Sequence, residues 1–160
     1  MSVRPSLQEL WKRRDCSVAP PFGEPALPEG IVLPDDLLEF YRLCGGADLF
    51  VGSEHALRIL GPMEFAPADP VIFGRALPQS ASATWWVIAR RAGDAFITID
   101  LDPARSGRCY DSAWDRHGVA GNCPVVSRSF TNLLATLASR GSGEPWWNDP
   151  SWPRLGDALD

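Results

Sequence analysis

Three carboxylates in the middle of the chain, Asp100, Asp102 and Asp111, come nearest to a reactive constellation. Two carboxylates at the end of a strand can hold a hard cation or divide acid and base work between them. Alternation along an extended chain places Asp100 and Asp102 on the same side. However, Asp102-Pro103 is also a turn signal, and an Asp at a strand end commonly caps nearby backbone amides. A structural role for the three is therefore expected to outweigh catalysis. Nucleophilic chemistry has less to draw on. A triad needs a base beside its nucleophile, and only His55 and His117 carry an imidazole. Neither stands in a recognisable motif, and His117 lies in Asp115-Arg116-His117-Gly118, which reads as a solvated turn. The G-x-S-x-G elbow, the phosphate loop, the dinucleotide fingerprint and the zinc-deaminase pattern are all absent. Cysteines stand at 16, 44, 109 and 123 with no C-x-x-C pair, and neither histidine lies at a zinc-finger spacing from them. The residues thus predict no enzyme, no cofactor and no metal.

Residues suited to recognition are easier to find. The net charge is −5, from 20 acids against 15 bases. This argues against nucleic-acid binding, which relies on Lys and Arg to neutralise phosphates. Residues 15–70 hold ten of the acids and two bases. A concentrated field of one sign steers partners of the opposite sign, although the same charges also serve as a solubilising face. Within that segment Asp48, Glu54, Glu64 and Asp69 fall in expected loops and are the candidate contacts. The tail adds Trp146, Trp147 and Trp152 among prolines and acids. Tryptophan is enriched at binding hot spots, so Trp146 and Trp147 join the candidates, although a flap covering the sheet with its own aromatics explains them more simply.

These groups must be positioned by a modest set of elements. Ser6-Leu7-Gln8-Glu9 fits a capping box ahead of a helix over 6–14. Residues 17–34 contain five prolines and read as an irregular leader in which Phe22, Leu27, Ile31, Val32 and Leu33 can pack. The spacing of Leu37, Phe40, Tyr41 and Cys44 predicts a helix starting at Pro34, with Asp35 and Asp36 at its positive end and Gly45-Gly46 as a left-handed cap. Strands are expected at 57–60, 84–89 and 95–99, with 91–94 as the turn between the last two, and at 108–110. Trp85 and Trp86 then point to opposite faces, one in the core and the other half-covered. Residues 61–83 read as mostly loop. Phe130, Leu133, Leu134 and Leu137 predict a last helix, capped by Ser127 or Ser129 and ended by Gly141.

The 160 residues suffice for one real core. The expectation is a single α+β domain over 1–160, with an antiparallel or mixed central sheet of about four to six strands and helices packed against it. The longest apolar run is Trp85–Ala89, far short of the roughly 20 residues of a membrane span. The N-terminus has no apolar stretch after its charges, so no secretory signal is read there. The cysteines are expected as reduced thiols in the cytoplasm.

The order of these pieces resembles one family. LPDDLLEFYRLCGGADLF (33–50) is similar to the LP-x-x-L-x-x-F opening, with its Gly-Gly end, of the SUKH superfamily, which is related to the yeast Smi/Knr cell-wall regulators. Arg58-Ile59-Leu60 followed by Met63-Glu64-Phe65 resembles its short strand and E-F turn. Trp86-Val87-Ile88-Ala89 resembles its W-x-x-I-A strand. Ile99-Asp100-Leu101 through Gly107-Arg108-Cys109-Tyr110-Asp111, and then Ser129-Phe130-Thr131-Asn132-Leu133-Leu134, resemble its closing segments. Together they span about 27–140. The leader over 17–34 largely precedes this pattern, and the tail over 141–160 follows it. The resemblance implies an α+β fold without an active site. It implies a bacterial immunity protein of a polymorphic toxin system, which occludes a cognate toxin by stoichiometric binding. A basic toxin such as a nuclease would suit the acidic segment. The alternative it implies is a regulatory interaction domain for a housekeeping protein.

Overall fold

In the computed structural model, which describes residues 2–160, helix α1 spans Arg4–Trp11 with Pro5 in its first turn, where a missing N–H costs nothing. The capping box expected at Ser6 does not form, because the helix starts earlier and Ser6 lies inside it. Its amino end is served from another helix instead. Glu39 accepts from the Val3 amide at 2.6 Å and from the Ser2 hydroxyl at 3.0 Å.

Glu39 belongs to α2 (Asp35–Leu43), which begins directly after Pro34. Its stripe Leu37, Phe40, Tyr41 and Cys44 is fully buried. Asp36 accepts from both the amide and the hydroxyl of Thr131 at 2.8 Å, in the first turn of α4 (Phe130–Arg140). Ser129 completes that cap by accepting from the Asn132 amide. Helix α2 thus supplies carboxylates to the positive ends of both other long helices.

Gly45-Gly46 is not a left-handed helix cap. Cys44 is already extended at φ −156°, and only Gly46 has positive φ. The two glycines are needed for close approach. A Cβ on Gly45 would overlap the Phe22 ring and the Pro20 carbonyl, and one on Gly46 would lie 2.8 Å from the Ile59 carbonyl.

The sheet has eight strands: β1 (Ser17–Val18), β2 (Ala47–Leu49), β3 (Leu57–Ile59), β4 (Ala66–Pro67), β5 (Trp85–Arg91), β6 (Ala95–Asp100), β7 (Cys109–Asp111) and β8 (Val125–Ser127). Their order is β1-β2-β3-β5-β6-β7-β8, with β4 beside β5 and every pairing antiparallel. This exceeds the expected four to six. Strands β1, β2, β4 and β8 have two or three residues each, too short for alternation to reveal them.

One face of the sheet packs Ile59, Trp86, Ile88, Ile97 and Ile99 against α1, α2 and α4. The other face buries Trp85, Val87, Phe96, Tyr110 and Val125 beneath Ala68 and Ala158. Trp85 and Trp86 do face opposite ways, but both are buried, because the second face has its own cover. Part of that cover is α3 (Ala68–Phe73), a short helix in the stretch expected to be mostly loop. In the leader, Leu27, Ile31 and Leu33 pack on the first core, whereas Phe22 and Val32 stay exposed.

Candidate functional site

The fold spends the most reactive-looking carboxylate on itself. Asp100 ends β6 and is fully buried. One of its oxygens accepts from the Thr84 hydroxyl at 2.8 Å and the Asp102 amide at 3.0 Å. The other accepts from the Tyr110 hydroxyl at 2.6 Å and from Arg105 Nε at 2.9 Å. Four donors fill both oxygens and tie β6 to β7 and to the 101–108 turn. Asp102 caps Ala104 and receives the other arm of Arg105. Asp111 accepts from Arg116 and from the Trp147 indole, both at 2.8 Å. The three carboxylates therefore act as separate anchors. Among the described residues, no three His, Cys, Asp or Glu side chains gather as a metal site would require.

His117 is not in a solvated turn. It is buried, and its Nε2 lies 2.7 Å from Asp69, which is also buried, in α3 rather than in a loop. The rings of Trp85 and Phe73 flank the imidazole. Burial pulls its pKa below the usual value, against the opposing pull of Asp69. The neutral ring thus helps to fasten α3 and the 112–123 loop to the second face. No short sequence signal links residues 69 and 117.

The cysteines are free thiols. Burial pushes Cys44 and Cys123 up to about 11 and Cys109 up to about 12, so they stay protonated and weakly nucleophilic.

The acidic segment disperses into local pairs. Asp15 binds Arg13, and Glu24 binds Arg42. Asp36 and Glu39 cap helices. On the outer side of β3, Arg58 is gripped by Asp48 of β2 at 3.0 Å and by Glu64 at 2.8 Å. The hydrogen bond from Arg58 holds the Glu64 carboxyl below its ordinary range. Of the four acidic candidates, Asp48 and Glu64 thus share one cation and Asp69 is buried. Glu54 is open to solvent and lies 3.3 Å from His55.

The tail is a packed strap. Trp146 is buried and donates to the Val126 carbonyl at 2.9 Å, with Trp147 edge-on against it. Trp147 is half-buried beneath Arg91, and Arg140 covers Trp152. Farther on, the Val125 amide donates to the Gly156 carbonyl and the Ala158 amide to the Cys123 carbonyl. The strap is therefore fixed at both ends along the free edge of β8. A cleft of about 450 Å³ lies beneath it, bordered by Trp146, Trp152, Arg116 and Arg154.

Several large apolar side chains are exposed, Trp11, Val32, Val51 and Trp114 among them. Met63 is 84% exposed in the turn before β4, and Phe22 is 59% exposed in the leader. The E-F turn that carries Met63 was legible, but its orientation depends on the Gly61 carbonyl accepting from both the Glu64 and Phe65 amides.

Comparison with known proteins adds the remaining findings. Residues 26–136 match the model of the SMI1 / KNR4 family (SUKH-1). The chain is 34% identical to the immunity protein YokJ of Bacillus subtilis (strain 168) over 160 residues, which is all of this chain and 97% of that protein. No solved structure matches the chain.

Proposed function

Because this chain belongs to the SMI1 / KNR4 family (SUKH-1), we propose that it is an immunity protein that binds a cognate protein toxin and neutralises it by occlusion, without turnover. The observation that carries this reading is the end-to-end similarity to an immunity protein. It extends through residues 1–25 and 137–160, which lie outside the family match. A shared core alone would fit any family member, whereas similarity along the whole length suits a shared task.

The chemistry supports binding over catalysis. Asp100 has both oxygens occupied, and the buried thiols are held protonated. Occlusion needs only a rigid complementary surface, and a sheet covered on both faces is suited to supplying one. The protein would act in the cytoplasm, where free thiols persist. No described helix is long and apolar enough to cross a membrane. The net charge of −5 favours a basic toxin, such as a nuclease, by speeding capture.

The test is co-expression in a susceptible host with the toxin domain encoded beside this gene. The expected result is survival with this chain and death without it. Death in both cases, with the chain present and folded, rules out immunity toward that toxin.

A further inference from the structure

The second face of the sheet is only lightly covered. The apolar side chains that its cover buries fully are small, Ala68, Cys123 and Ala158, with Val71, Ile72 and Leu155 partly buried. Apolar area of that size holds α3 and the 112–123 loop weakly. The contact that joins the two segments, Asp69 to His117, therefore matters more. It lies out of water at both ends, with the imidazole fully buried and Asp69 nearly so.

The contact engages only one side of the ring. Asp69 Oδ1 lies 2.7 Å from Nε2, and a carboxylate accepts, so Nε2 carries the ring proton. Nδ1 is buried and has no partner. A proton arriving there would find no acceptor. The Trp85 ring is edge-on at 5.4 Å and Phe73 lies at 5.1 Å, and the Trp85 indole N–H is itself buried without an acceptor. The hydroxyls of the adjoining segments are paired with each other, Ser82 with Ser80 and Thr98 with Ser112.

The surrounding charges are engaged elsewhere or lie in solvent. Arg116 binds Asp111, Tyr110 donates to Asp100, and Asp157 accepts from the Gly121 and Cys123 amides. Asp115 and Arg75 are exposed, and the Cys123 thiol stays protonated. Asp69 is the one charged group that acts on the imidazole, and burial outweighs it. A ring whose pKa is lowered on folding contributes its full stability above about pH 6.5 and loses it as the pH falls.

We propose that the Asp69–His117 contact is an acid-sensitive latch: proton uptake at His117 Nδ1 releases α3 and the 112–123 loop from the second face, while the helical face stays folded. The latch belongs to the fold and is independent of which partner the chain binds.

The test is amide hydrogen exchange of the wild-type chain and of His117→Gln at about pH 7.5 and about pH 5.5, corrected for intrinsic rates. Gln can still donate to Asp69 but takes up no proton. In the wild type, residues 68–74 and 112–123 are expected to lose up to about tenfold in protection at the lower pH, the linkage of one proton, while α4 keeps its own. His117→Gln should show no such change. Equal protection at both pH values overturns the latch, and so does a loss that spreads to α4, which is global acid unfolding. Titration of the two histidines by NMR decides the matter even if the variant fails to fold. A His117 midpoint below about 6 supports the latch, and one at or above about 6.5 overturns it.

Discussion

Asp100 shows why a reactive side chain is judged by what already holds it. Its spacing from Asp102 was readable in the sequence, and so was the competing role as a cap. The four donors decide between them. Replacing Asp100 with Ala would strand a buried Tyr110 hydroxyl and remove the partner of Arg105. The expected cost is about 3 kcal/mol of folding stability, measured by denaturant midpoint, with toxin affinity unchanged in the fraction that folds. An unaltered midpoint combined with lost neutralisation would instead give Asp100 a chemical task. The sequence was less informative about Asp69 and His117. Each looked like a polar loop residue, because their meeting is set by α3 and the 112–123 loop folding onto the same face of the sheet.

At the scale of elements, α2 and α4 were legible because their apolar spacing repeats and the β5–β6 hairpin because its strands are rich in aromatic and β-branched residues, whereas α1 was read from a capping box that does not form. The tail was only half legible. Three tryptophans among prolines signalled either a flap or an exposed binding site. The hydrogen bond from Trp146 to Val126, and its burial against Trp147 and Trp152, identify a strap over the β8 edge. Such an edge left open would invite pairing with another chain. Trp146→Ala is expected to cost about 3–5 kcal/mol and to make residues after 146 the first site of proteolysis. A variant with the wild-type melting temperature and protease resistance would show that the strap is held without this anchor. The glycines at 45 and 46 carry a related lesson. Sequence reading assigned them to a helix end, but the space they leave is filled by Phe22 and by β3. Only the folded leader reveals that need.

Across the whole molecule, a charge excess along the chain is not a charged face. Ten acids between residues 15 and 70 looked like one acidic surface. Folding disperses seven of them into helix caps, pairs with Arg13, Arg42 and Arg58, and one buried contact with His117. What survives is a modest net negative charge spread over the surface rather than gathered on one face. The family was legible from motif order, because those motifs build the core. A partner-binding surface was not, because any such surface depends on exposed residues that the core does not constrain. The most direct check of neutralisation by occlusion is to titrate purified toxin domain with this chain while following toxin activity. The account predicts a linear loss of activity that ends at one chain per toxin, with both proteins chemically unchanged afterwards. Loss of activity at far below one equivalent, or modification of the toxin, would contradict it and point to catalysis.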